Sequence, residues 1–112
     1  MQDFNYFTEK KLECLEIANS YLGEGDKENY YLNKRESLRY ELMEYQSIGC
    51  KEARIWTAGD RSVCRKCRRL QAKIFTVEEA LNTMPIPIRN CPSRFGYCRC
   101  DYLPIANIIE LG

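Results

Sequence analysis

Phe4, Phe7, Leu15, Ala18 and Leu22 follow one another at intervals of 3, 8, 3 and 4 residues. Those intervals keep them on one face of a helix with a 3.6-residue period. Leu12 widens the stripe, and the pattern predicts a helix over residues 4–22. Gly23-Glu24-Gly25-Asp26 interrupts it with turn chemistry. Tyr31, Leu38, Leu42 and Tyr45 then recur at 7, 4 and 3 residues, which predicts a second helix from about Glu28 to Ser47. Gly49 stands where the residue past a helix end is expected. Two amphipathic helices joined by so short a link predict an antiparallel hairpin.

The character changes at Ala53. Ala53-Arg54-Ile55-Trp56-Thr57 alternates apolar with polar and predicts a strand. Ala58-Gly59-Asp60-Arg61 predicts a turn, and Leu70 to Phe75 a returning strand. Thr76-Val77-Glu78-Glu79 has the form of a capping box, Thr at the N-cap and Glu three residues on, and starts a short helix over about residues 77–82. Pro85 and Pro87 forbid regular helix beyond it. Asn90-Cys91-Pro92-Ser93 predicts a turn, and Tyr102 to Leu111 an apolar closing strand. Trp56, Phe75 and the segment 105–109 are the expected core of this half. The fold class expected is α+β: an antiparallel helical hairpin over residues 1–49 packed on a small zinc-ribbon-like β module with a short helix over residues 50–112. No linker composition separates the halves, so they are expected to form one compact domain.

Size agrees with a single domain, since the chain has 112 residues. Apolar residues make up 45% and charged residues 29%, an ordinary globular balance. No apolar run reaches the roughly 18 residues that a membrane span needs. The N-terminus has no basic stretch leading into an apolar one, so secretion is not expected. The expected location is a reducing cytoplasm or an assembled particle, and no membrane partner is expected. A net charge of +1 conceals an asymmetry. Residues 1–50 carry six Lys/Arg against ten Asp/Glu, net −4, and residues 51–112 carry eleven against six, net +5.

Seven cysteines and no histidine change the picture most. Clustered cysteines in a reducing compartment point to metal more often than to disulfides, and an odd number cannot all pair. The absence of histidine removes imidazole as ligand and as general base. Cys64-Arg65-Lys66-Cys67 has the C-x2-C spacing of a structural zinc site, and Cys98-Arg99-Cys100 follows about thirty residues later. Zinc takes four ligands, and five thiols are candidates: Cys64, Cys67, Cys91, Cys98 and Cys100. Cys64 and Cys67 are the firm pair, Cys98 comes next, and Cys91 or Cys100 is the fourth. Four thiolates on Zn2+ leave a formal charge of −2, which Arg65, Lys66, Arg68 and Arg99 can offset. Cys14 and Cys50 read as small apolar residues. Unligated cysteines or a redox C-x2-C are the competing readings. The second needs a βαβ setting that this sequence lacks. A zinc closed by four sulfurs keeps no position for water, which argues against catalysis. No carboxylate pair, serine motif or phosphate loop supplies another reaction, so neither an enzyme nor a small-molecule substrate is expected.

Arg61, Arg65, Lys66, Arg68 and Arg69 place five cations within nine residues. Such a patch is one form of nucleic-acid footprint. With a net charge of only +1, charge balance for the thiolate site plus a solvated surface is the preferred reading.

The wording from Ile48 to Cys67 resembles the phage head morphogenesis family, the minor head proteins similar to phage Mu protein F. That family's C-terminal module reads approximately Trp, Thr, Asp, Val-Cys-x-x-Cys, then Gly-Lys-Val-Phe, a proline-rich stretch, and His-x-x-Cys-Arg-Cys. Here Trp56-Thr57, Asp60 and Val63-Cys64 match the first part. Lys73-Ile74-Phe75, Pro85-Ile86-Pro87 and Cys98-Arg99-Cys100 match the rest. Ala72 stands where the family has glycine. The family histidine is missing, and residues 92–97 are an insertion. The chain also has a shorter helical region ahead of the module than family members do. On this resemblance Cys91 takes the histidine's place, giving Cys64, Cys67, Cys91 and Cys98 with Cys100 close by; otherwise Cys100 completes the set. The resemblance implies a zinc-stabilised virion-assembly role without catalysis. Its partners would be portal or capsid proteins or further copies of itself, with DNA as a further contact.

Overall fold

The structure is a computed structural model, and it describes residues 4–56, 65–70, 73–88 and 100–105. For residues 65–67 only the backbone is described.

Two helices open the chain, α1 over Phe4–Gly23 and α2 over Lys27–Ser47. The turn between them is set by Gly25, whose φ of +79° no β-carbon favours. Asp26 then caps α2, its carboxylate accepting from the Asn29 backbone N–H at 3.1 Å. The Asn29 side chain donates to the same carboxylate, and together these bonds hold Asp26 below the usual carboxylate range. At the other end Gly49 takes φ +80°. The Gly49 N–H donates to the Gln46 carbonyl at 3.1 Å and the Cys50 N–H to the Tyr45 carbonyl at 2.9 Å. That pair of bonds is a Schellman motif, and it satisfies carbonyls the helix end would otherwise leave bare.

Three short strands follow, β1 (Glu52–Trp56), β2 (Ile74–Thr76) and β3 (Asp101–Pro104). The sheet order is β2-β1-β3 with both pairings antiparallel. Between β1 and β2 lies a six-residue helix, α3 (Arg65–Leu70), and after β2 comes α4 (Val77–Thr83). The expected capping box is present: the Glu79 N–H donates to the Thr76 hydroxyl at 3.0 Å, and the Thr76 N–H to the Glu79 carboxylate at 3.1 Å. Met84 ends α4 with φ +44° immediately before Pro85, a position from which the helix cannot continue. The Ile86–Pro87 peptide is cis.

The core lies between α2 and the inner face of the sheet with α4. Leu38, Leu42 and Tyr45 of α2 meet Ala53, Ile55, Val77, Ala80, Met84, Ile86, Cys100 and Tyr102. Burying one Leu or Ile fully contributes about 1.5–3 kcal/mol, and Leu38, Leu42, Ile55 and Ile86 are all fully buried. The molecule is therefore mixed helix and sheet with a core drawn from both halves. Among the described residues no helix is long and apolar enough to cross a membrane.

Several expectations need correction. Phe4 and Leu12 are exposed, so the α1 stripe is narrower than its spacing implies, and Ala18 is its one fully buried member. Trp56 is exposed as well. Side chains alternate across a strand. Ala53 and Ile55 take the inner positions of β1, which turns Trp56 outward. Phe75 is partly buried against the core. The segment Leu70 to Phe75 is not one strand. Leu70 closes α3, its carbonyl accepting from the Lys73 N–H at 2.9 Å, and β2 begins only at Ile74. The predicted turns at 58–61 and 90–93, and residues 106–111 of the closing segment, lie outside the described residues.

Candidate metal centre

The sheet fixes where the two cysteine segments attach. β1 ends at Trp56, and the chain returns at Lys73, whose carbonyl accepts from the Ile55 N–H at 3.0 Å. β3 starts at Asp101, paired with Trp56. The last residue of β1, the first of β2 and the first of β3 therefore share one end of the sheet. The connection 57–73, which carries Cys64 and Cys67, both departs from and returns to that end. The approach to β3, which carries Cys91, Cys98 and Cys100, arrives there.

Cys100 lies next to that end, is almost fully buried and belongs to the core cluster. Cys67 is in α3. Cys64, Cys91 and Cys98 lie outside the described residues. Among the described residues no three Cys, Asp or Glu side chains are gathered in a way that could hold an ion. The donor chemistry suits zinc. Thiolates are its preferred ligands, and a four-sulfur site needs no histidine.

Of the predicted basic patch, Arg68 and Arg69 are exposed in the last turn of α3. Arg65 and Lys66 belong to the same helix by backbone, and Arg61 lies outside the described residues. The two cysteines read as small apolar residues, Cys14 and Cys50, are both partly buried. Cys50 packs against the core, and its thiol donates to the Glu52 carbonyl at 3.2 Å. Partial burial, then the nearby Glu36 and Glu13, push the Cys14 thiol upward, which keeps it protonated.

Close to the same end runs a buried polar seam that hydrophobic periodicity does not reveal. Lys34, nearly buried on α2, forms an ion pair with Asp101 at 3.0 Å. The Tyr45 hydroxyl reaches both the Glu41 carboxylate and the Tyr102 carbonyl, the latter at 3.1 Å. One hydroxyl proton cannot serve two acceptors, so the arrangement is complete only when Glu41 brings its own proton. Burial pushes Glu41 up to about 7. The Tyr45 hydrogen bond opposes that rise, Asp101 adds to it, and Lys11 and Lys34 oppose it. Burial, then the Glu41 charge, push the Tyr45 hydroxyl upward as well. The available signal was Lys34 itself, a cation placed four residues before Leu38 on the apolar stripe.

Comparison with family models, with curated proteins and with solved structures finds no match to this chain.

Proposed function

We propose that this chain is a non-enzymatic, zinc-stapled interaction module of the minor head type, working in virion assembly beside portal or capsid proteins. The observation that carries the reading is topological. The antiparallel order β2-β1-β3 anchors both cysteine-bearing connections at one end of the sheet. Sulfurs from two distant segments can then meet a single ion. Four of Cys64, Cys67, Cys91, Cys98 and Cys100 hold it, and the β module is zinc-ribbon-like in that sense. Structural zinc contributes roughly 10–16 kcal/mol in small peptides. That is ample for a sheet whose strands have five, three and four residues. The sequence resemblance supplies the assembly context.

Deleting the gene from a phage or prophage that carries it tests the role. The expected result is a loss of DNA-filled heads while major capsid protein is still made. Wild-type yields of infectious particles without the gene contradict the assembly role.

A second reading has its own support in the exposure of Arg68 and Arg69. There the zinc module presents α3 to nucleic acid. Binding that weakens steeply with salt, and that is lost in the triple variant Arg65→Ala, Arg68→Ala, Arg69→Ala, favours it. Salt-independent or absent binding removes it.

A further inference from the structure

The outer face of the sheet is apolar around one cation. Arg54 sits at its centre on β1, opposite Ile74 on β2 and opposite Leu103 on β3. Ile74 is 58% exposed, Leu103 37%, and Trp56, two residues along from Arg54, 42%. Arg54 forms no ion pair among the described residues. Among the described residues two acids share this face by register: Glu52, at the far end of β1 from Trp56, and Asp101, opposite Trp56, whose carboxylate is already held by Lys34. An exposed tryptophan and arginine among large aliphatics is the composition of a protein-binding hot spot.

The outer face of α1 carries the opposite arrangement. Ala18 marks the buried side. At 100° per residue, Glu9, Glu16 and Glu13 fall in the centre of the opposite arc, with Leu12 and Ile17 on its two flanks. All five are exposed, Leu12 by 55% and Ile17 by 48%. Glu13 already holds Lys10 at 3.3 Å, which leaves Glu9 and Glu16 without an ion pair among the described residues. So α1 presents acid between two aliphatics, and the sheet presents a cation between two aliphatics. The spacings agree too. Ile74 and Leu103 are two strand separations apart, roughly 10 Å. Leu12 and Ile17 are about 7.5 Å apart along the helix axis and further around it.

We propose that the outer face of α1 in one copy of this chain docks on the outer face of the sheet in the next, head to tail. The charge asymmetry points the same way. A −4 half against a +5 half attracts, whereas either face set on its own copy would bring like charge against like. A head-to-tail contact uses two different patches per copy, so it propagates into a ring or a filament instead of stopping at a dimer. This deepens the assembly reading, on which it rests for the expectation that the chain works by contact. It uses no cysteine.

Sedimentation of the full chain with its zinc, over a range of concentration and salt, tests the proposal. Two surface variants are needed. The first, Arg54→Glu with Trp56→Ser, disables the sheet face; the second, Leu12→Ser with Ile17→Ser, disables the helix face. The wild type is expected to associate, and to do so at least about tenfold more weakly at high salt. Each variant alone is expected to stay monomeric, and an equimolar mixture to give a one-to-one dimer, because each retains the face the other has lost. Unchanged circular dichroism and zinc content show that the variants are folded. A monomeric wild type at every concentration overturns the proposal and leaves the zinc reading standing. So does a mixture that stays monomeric. Binding of single-stranded oligo-dT to the sheet face, lost in the first variant while the wild type remains monomeric, assigns that face to nucleic acid instead.

Discussion

Toward the sheet, α2 presents Leu38, Leu42 and Tyr45 to an apolar core. Toward α1 it presents Ser37 and Glu44. The Ser37 hydroxyl donates to the Lys11 carbonyl at 3.1 Å, and Glu44 accepts from the Lys11 ammonium at 3.0 Å and from the Thr8 hydroxyl. No residue of α1 belongs to the core cluster. The same helix thus holds the sheet through an extended apolar core, and α1 through directed polar bonds beside a smaller apolar contact at Ala18. Core packing transmits any loss to everything around it. Loss of the polar bonds to α1 loosens α1 alone, and the Lys11–Glu44 ion pair among them weakens with salt.

Truncation of the core should have the largest effect. Leu42→Ala is expected to cost about 2–5 kcal/mol, read as a fall in the midpoint of denaturant unfolding for both halves together. A loss confined to α1 would break the comparison.

Next in size is a pH effect at the seam between α2 and the sheet. Glu41 titrates near 7 in the folded chain and in the ordinary carboxylate range when unfolded. Between those values the folded state binds the extra proton, so stability is greatest below the lower value and falls as pH rises through about 7. The ceiling is about 3 kcal/mol, reduced by the water this partly buried carboxylate still meets. Glu41→Gln should flatten the slope between pH 5 and 8 in thermal melts and stabilise the alkaline side. A variant as pH-dependent as the wild type would place the proton elsewhere.

Smaller again is Glu44→Ala, which removes the acceptor for Lys11 and Thr8. Lys11 keeps partial contact with water, so the cost is set at about 1 kcal/mol. Amide exchange should quicken along α1 while protection of Ala53 and Ile55 is unchanged. Thr76→Ala, which opens the capping box, is expected to cost about 1 kcal/mol, visible as faster exchange at the start of α4.

What the sequence revealed was local chemistry. Gly49 closes α2, Thr76 and Glu79 start α4, and the alternation at Ala53 and Ile55 marks β1, because each depends on neighbours a few residues away. What it hid was decided by distant partners. Trp56 looks like core by size, yet inward direction on β1 was already taken by Ala53 and Ile55. Lys34 looks like surface by charge, yet Asp101, 67 residues later, lets it be buried. Leu70 reads as strand by composition, and α3 claims it. The candidate site divides the same way. C-x2-C spacing marks Cys64 and Cys67 as a pair in the chain itself. Choosing between Cys91 and Cys100 depends on how a long return segment meets that pair, and spacing carries no such information.

Native mass spectrometry of the purified chain, with thiol titration before and after chelation, tests the central claim most directly. The account predicts one zinc per chain, four of the seven thiols shielded until the metal is removed, and loss of the sheet signal on removal. A metal-free chain that unfolds cooperatively and ignores chelators contradicts it.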